Sequence, residues 1–235
     1  MNFVYKRNET SAGNVEVREL LDGDEEKVFE VAFGDFARAI SNLGMRKTDL
    51  DILFPSIHFV IAGNNIGISM ETLEAVRKVI VEIPVKEGGI HRIEYKEYTV
   101  PMPSLEWSFI LLDGTFADSF VVAFKRIYEQ KRISKRYFRA PILNVFDDHR
   151  ICWGRFPIKK FIENDKMDFS RLGILIEEFW KLHFNLDLQM KVLITGAETM
   201  DYSIKYNKKS IKEIPYELFI PIDWDETTLG KLIKK

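Results

Sequence analysis

Cysteine is almost absent from this sequence, since Cys152 is the only one among 235 residues. A single cysteine cannot form an internal disulfide or build a cysteine-based zinc site. No apolar run reaches the about 18 residues that a transmembrane helix needs. The first twenty residues also lack the apolar core and the cleavage site of a signal peptide. These absences predict a cytoplasmic protein without membrane contact.

The glycine-rich phosphate loops are also missing, because neither GxGxxG nor GxxxxGK[ST] occurs in the chain. Nucleotide binding through those two loops is therefore excluded. His58 and His91 fall in predicted strands, and no histidine spacing is typical of a metal site. The sequence predicts neither a metal nor an organic cofactor.

The composition is that of a globular protein, with 46% apolar residues, 30% charged residues and a formal net charge of −2. The length suits one large domain, or a core domain with an extension. Strands are predicted over 24–33, 54–63, 91–100, 104–112, 140–146 and 216–224. Helices are predicted over 69–83, with Ser69 as N-cap, over 116–130, from Ser170 onward and after residue 224. This order lacks regular βαβ alternation, so it predicts an α+β fold.

One segment is strongly basic. Residues 125–160 contain eleven lysines and arginines against three acidic residues, which gives a net charge of +8 in an otherwise slightly acidic chain. Such a segment is either a solvated face or a surface that docks an acidic partner. The overall net charge of −2 argues against a nucleic-acid-binding domain.

The stretch NVFDDHRICWG, residues 144–154, contains the cysteine. A free cysteine is usually a small buried hydrophobic residue. The four residues before Ile151 are Asp147, Asp148, His149 and Arg150, which are too polar for a core segment. The thiol is therefore predicted to lie near solvent, where it can act as a nucleophile.

The same stretch resembles the active-site loop of ubiquitin-conjugating enzymes. In that family an asparagine lies eight residues before the catalytic cysteine, and here Asn144 precedes Cys152 by eight. The run VPMPSLEWSFIL, 100–111, is similar to the family's proline-containing strand. The His-Pro that normally precedes the asparagine is replaced by Ile142-Leu143. This departure, with the sequence YFRAPILNVFDDHRICWG, resembles the bacterial conjugating-enzyme-like branch typified by PRTRC system protein B.

The resemblance implies an antiparallel β-meander with flanking helices, an N-terminal extension and a helix inserted over about 114–136. The division it implies is an extension or subdomain over 1–85, a core over 86–190 and a C-terminal segment over 191–235. It also implies three partners: a ThiF-like activating enzyme, a small ubiquitin-like protein and a JAB-type peptidase.

The implied chemistry is a thioester at Cys152, followed by transfer to an amine. Asn144 would donate a hydrogen bond to the oxyanion, or would only tie the loop through backbone contacts. His149 would act as a base, or would be a solvated loop residue. His183, on the apolar face of the helix from Ser170, is predicted to be a core histidine. The alternative function is a non-catalytic binding module, either a protein scaffold or a nucleic-acid-associated accessory, and a cysteine hydrolase is a more distant one.

Overall fold

The computed structural model describes residues 2–7, 14–20, 26–32, 57–62, 65–113, 115–129, 132–158 and 170–233. It contains eleven strands in this part of the chain: β1 Asn2–Arg7, β2 Asn14–Leu20, β3 Glu26–Ala32, β4 Ile57–Ala62, β5 Asn65–Thr72, β6 Ala75–Glu87, β7 Ile90–Met102, β8 Ser104–Leu112, β9 Thr115–Glu129, β10 Arg132–Phe138 and β11 His183–Phe184. The helices are α1 Ser170–Phe179, α2 Thr199–Lys205 and α3 Glu226–Ile233, with 3₁₀ turns at Ile211–Glu213 and Tyr216–Leu218.

Two sheets organise these strands. The larger has eight strands in the order β10-β9-β8-β5-β4-β1-β2-β3, and every neighbouring pair is antiparallel. The smaller has the order β11-β6-β7, with β6 and β7 antiparallel and β11 parallel to β6. The predicted α+β class is therefore confirmed. The predicted division between residues 85 and 86 falls within β6.

The core lies on both faces of the large sheet, and β8 shows why. Leu105, Trp107 and Phe109 alternate along β8 and join the main cluster with α1 and β11. Ile110 points to the opposite face, into a second cluster that includes Trp224 and α3. Because successive side chains of a strand point to opposite faces, a strand that is apolar at both parities is covered on both sides.

Two predicted helices are strands instead. The segment 69–83 forms the end of β5 and most of β6, where Val79 and Val81 are buried but Val76 is exposed. The period of two prevails over the helical spacing because β-branched residues fit a pleated surface. The apolar spacing within 116–130 belongs to β9, whose residues 120–124 are all buried. A continuous apolar run is compatible with either structure. The predicted inserted helix over 114–136 is wrong, because the residues described there, 115–129 and 132–136, belong to the antiparallel strands β9 and β10.

Several smaller predictions can also be scored. The strands over 24–33, 54–63, 91–100 and 104–112 are confirmed, as are α1 and the closing helix α3. The strands over 140–146 and 216–224 are wrong, because those segments form only isolated bridges and a 3₁₀ turn. The helix α1 ends at Phe179, so His183 lies outside it, in β11 with an exposed side chain, and is not a core residue.

Candidate functional site

The stretch around the cysteine is a short hairpin-like loop. The backbone N–H of Cys152 donates to the carbonyl oxygen of Asn144 at 2.8 Å, and that of Phe146 donates to Arg150 at 2.9 Å. Val145 and Ile151 form an antiparallel bridge between these bonds. We call residues 144–152 the cysteine loop. Its pairing places Cys152 directly opposite Asn144, which was predicted only as a separation of eight residues.

The cysteine loop is held against β9. The N–H of Val121 donates to the His149 carbonyl at 3.0 Å, and the N–H of Ile151 donates to the Ser119 carbonyl at 2.9 Å. β10 pairs with β9 only as far as Ala123. Beyond that residue the cysteine loop takes the place of β10 along the same edge of β9. The backbone ladder of the large sheet therefore fixes the position of the loop.

Cys152 lies between two buried neighbours. Ile151 and Trp153 are 6% and 8% exposed, and the indole N–H of Trp153 donates to the Ser119 hydroxyl at 2.8 Å. Cys152 itself is a free, half-buried thiol. Two anchored side chains thus hold a half-buried cysteine in one place, and pre-positioning of this kind favours a nucleophile.

Asn144 is buried and adopts a left-handed backbone with φ of 61°. Its side-chain carbonyl accepts a hydrogen bond from the N–H of Asn185 at 3.3 Å, and its amide donates weakly to the His183 carbonyl at 3.5 Å. Asn144 therefore ties the cysteine loop to the chain around β11. The sequence offered no signal for this contact, because Asn185 lies 41 residues away.

His149 faces a different part of the molecule. Its ring lies edge-on to Trp224 at 5.9 Å between centroids. Its Nδ1 is buried and has no hydrogen-bond partner among the residues described. Burial lowers the pKa of His149, and the charge of Arg139 lowers it further. Among the described contacts none joins the His149 ring to Cys152, so the neutral imidazole serves first as a packing group.

Three acidic residues near the loop are paired with arginines. Asp148 bonds to Arg150 at 2.7 Å, Asp147 lies 3.4 Å from Arg139, and Asp118 lies 3.9 Å from Arg150. An open cleft of about 430 Å³ borders the loop. Its lining combines loop residues with the segment after β11: Val145, Phe146, Asp147, Asp148, Arg150, Asp187, Leu188, Gln189 and Met190.

The basic segment is partly neutralised inside the protein. Lys135 contacts Glu71 at 2.6 Å and Glu106 at 2.7 Å, and Arg126 contacts Glu71 at 2.6 Å. Both carboxylates are buried, and the Tyr137 hydroxyl donates to Glu106 at 2.9 Å. The basic surface therefore carries less positive charge than the net charge of +8 of this segment predicted. Glutamates within the apolar strands β5 and β8 were the sequence signal for this network.

Comparisons with known proteins identify no relative. No family model, no curated protein and no solved structure matches the chain. Within the residues described, no group of histidine, cysteine and acidic side chains could hold a metal ion. In the same residues no helix is long and apolar enough to cross a membrane.

Proposed function

We propose that the protein is a ubiquitin-conjugating-enzyme-like carrier that forms a thioester between Cys152 and the C-terminus of a ubiquitin-like protein. The observation that carries this proposal is the pairing of Cys152 with Asn144 across the cysteine loop. The chain order also supports it, since antiparallel strands precede the loop and α1 follows it. In this respect α1 resembles the helix that follows the cysteine in the conjugating-enzyme fold.

The reaction is an exchange of thioesters. The Cys152 thiolate attacks the acyl carbonyl held by a ThiF-like activating enzyme, the new carbon–sulfur bond forms, and the activating enzyme's thiolate leaves. An acceptor amine then attacks the same carbonyl and forms the carbon–nitrogen bond. It gives up a proton to water, and the carbon–sulfur bond breaks to release the Cys152 thiolate. ATP is consumed by the activating enzyme, so the carrier needs no cofactor of its own.

Each tetrahedral intermediate carries an oxyanion, and Asn144, which pairs with Cys152 through the backbone, would supply a neutral amide donor for it. One such donor lowers a barrier by roughly 2.7–4 kcal/mol when it is fixed in place. The weak 3.5 Å bond to the His183 carbonyl orients this amide, and it is the bond that can be exchanged for an oxyanion. His149 would serve as a base only after it leaves Trp224.

The partners follow from the resemblance and from charge. A small ubiquitin-like protein and a ThiF-like activating enzyme would dock on the remaining basic surface, and a JAB-type peptidase would remove the conjugate. Lys125 and Arg136 are exposed members of that surface. The reduced thiol that this chemistry requires fits a cytoplasmic location.

The test is a charging assay. The protein is mixed with the activating enzyme and the ubiquitin-like protein from the same genome, with ATP, and run on a non-reducing gel. We expect an adduct that a thiol reductant removes. Cys152→Ser should convert it to a reductant-resistant ester, and Cys152→Ala should abolish it. Failure to form an adduct, although the activating enzyme is demonstrably charged, would contradict the proposal.

A second candidate is a non-catalytic binding module on the same fold. It is favoured by the contacts of Asn144 and His149, because both side chains already stabilise the cysteine loop. Under this alternative the ubiquitin-like protein co-elutes with the chain in gel filtration, and Cys152→Ala binds as well as the native protein. Binding of nucleic acid is disfavoured by the pairing of Arg126 and Lys135 with buried glutamates.

A further inference from the structure

The β6–β7 ribbon projects from the body of the protein. Its base is anchored by Val79, Val81 and Val100, which are buried in the main core. Towards its tip, residues 86–93 are all exposed. The tip is a two-glycine turn, Gly88-Gly89, in which both glycines have the positive φ that a tight hairpin turn requires.

Among the residues described, no strand pairs with the outer edge of this ribbon. β7 is the last strand of the small sheet among the residues described. At Thr99 its outward N–H and C=O groups are bonded to Asn207 and Lys208, at 2.9 and 2.7 Å. Because outward and inward backbone groups alternate along an antiparallel strand, the groups of His91, Ile93, Tyr95 and Glu97 also point away from β6.

This edge also carries apolar side chains in solvent. Ile90 is 70% exposed, Ile93 is 55% exposed and Tyr95 is 58% exposed. An exposed, apolar strand edge is a template for pairing with another strand. By contrast, β10, an edge strand of the large sheet, is covered near its C-terminal end. There the N–H of Ile222 donates to the Tyr137 carbonyl, and the N–H of Arg139 donates to the Ile220 carbonyl.

We propose that β7 pairs with β7 of a second copy of this chain, in an antiparallel dimer centred on Ile93. Such a contact is isologous, so each residue meets its symmetric counterpart. It would join the two small sheets into one six-stranded sheet.

The charge pattern of β7 favours this occupant and this register, even though Arg92 already contacts Glu94 and Glu87 of its own chain at 2.8 and 3.1 Å in exposed ion pairs. Centred on Ile93, the pairing places Arg92 opposite Glu94 of the second copy, and does so twice by symmetry. It also places Ile93 opposite Ile93, and His91 opposite Tyr95. Opposite charges and aromatic or β-branched pairs are the cross-strand neighbours that stabilise a sheet.

The neighbouring registers are worse. Centring on Glu94 sets Glu94 against Glu94 and Arg92 against Lys96, which are like charges. Centring on Tyr95 requires the backbone of Thr99, which Asn207 and Lys208 already occupy. A strand edge of this length offers less area than the roughly 1,200–2,000 Å² of a stable interface. The dimer is therefore reversible and depends on concentration.

Sedimentation velocity across a wide concentration range tests the proposal on the full chain. We expect a reversible monomer–dimer transition. Arg92→Glu places two carboxylates opposite each other at both symmetric sites, and we expect it to weaken association about tenfold or more. The double variant Arg92→Glu/Glu94→Arg restores both opposite-charge pairs and should restore association.

Lys86→Glu is the matched control, because it makes the same charge change on exposed β6 without touching the β7 edge. It should leave association unchanged. Hydrogen exchange gives a second readout, since the Ile93 amide should gain protection only at concentrations where the dimer forms. A monomer at every concentration, or association that Arg92→Glu does not weaken, would overturn the proposal, and so would failure of the double variant to recover.

Discussion

The N–H of Cys152 and the carbonyl of Asn144 are joined by a 2.8 Å hydrogen bond, which closes the cysteine loop at its base. The bond uses only backbone atoms, so it leaves the thiol and the amide side chain available for other contacts. Asn144 has φ of 61° and binds the chain near β11 through its side chain. Its conformation and its contacts thus support the position of Cys152.

Substitution of Asn144 separates these two contributions. Asn144→Gly loses the side-chain contacts but accepts the positive φ, whereas Asn144→Ala loses the contacts and also strains the backbone by roughly 1–2 kcal/mol. We expect both variants to be less stable than the native protein, with Asn144→Ala the lower of the two. Urea unfolding measures this order. Equal stability of all three proteins would contradict a structural role for Asn144.

The stability of the protein should fall as the pH drops below about 6.5 because of His149. The pKa of His149 is lowered in the folded state by burial and by Arg139. Between the unfolded and folded pKa values the unfolded chain binds a proton that the folded chain does not, so acid favours unfolding. His149→Asn, which tolerates the φ of 71° at this position, should flatten the loss.

Thermal unfolding at several pH values between about 7 and 5 measures the effect. His91→Gln is the matched control, because His91 is exposed on β7. The proteins are compared at a concentration low enough to keep them monomeric, since His91 lies on the proposed β7 contact. A pH profile of His149→Asn that follows the native profile would show that another group causes the loss.

Lys135 should stabilise the protein by compensating two buried carboxylates in the large sheet. Glu71 and Glu106 are direct neighbours across β5 and β8, and Lys135 bridges them. Lys135→Met leaves two close, buried carboxylates with less compensation, and we expect a loss of about 3–5 kcal/mol.

Lys78→Met is the control for this variant, because Lys78 forms an exposed ion pair with Glu97 and should contribute at most about 1 kcal/mol. Burial alone lowers the pKa of Lys135, but the charges of Glu106 and Glu71 outweigh it and raise the pKa overall. The stabilisation of the folded protein by the charge of Lys135 is therefore complete below about pH 10. It is lost as the pH rises through the pKa of Lys135 in the folded state. Equal losses for the two variants would contradict this account.

Gly67 should be required for α3 to pack on β5. A Cβ atom at Gly67 would lie 2.7 Å from Cγ of Leu229 and 3.2 Å from Cγ2 of Ile233. We expect Gly67→Ala to destabilise the protein by about 1–3 kcal/mol. Because Leu229 is the side chain that the new methyl group meets, the double variant Gly67→Ala/Leu229→Ala should cost less than the sum of the two single variants. Additive costs in this double-mutant cycle would show that the two sites are independent.

Gly230→Ala is the comparison within α3. A Cβ at Gly230 would meet Val60 at 3.7 Å, which is an ordinary contact. Because alanine is the better helix former, this variant should be neutral or up to about 1 kcal/mol more stable. A stabilising Gly67→Ala would show that α3 does not pack as the structure has it.

The sequence predicted local structure well where one pattern had no competitor. The strand over 104–112 agrees with β8, and the helix from Ser170 agrees with α1. The helices over 69–83 and 116–130 were wrong because apolar residues in long strands also fell at helical spacing. Such segments are decided by the neighbouring strands with which they exchange hydrogen bonds, and those neighbours are distant in the sequence.

By itself, the sequence determined a single cysteine in a polar loop, an asparagine eight residues before it, and enough apolar surface for an α+β core. Only the tertiary structure decided that Asn144 faces Cys152 and bonds near β11, that His149 turns to Trp224, and that Glu71 and Glu106 neutralise Lys135. The physical reason is the same each time. Burial and hydrogen bonding depend on which distant segments meet, whereas local patterns depend only on neighbours along the chain.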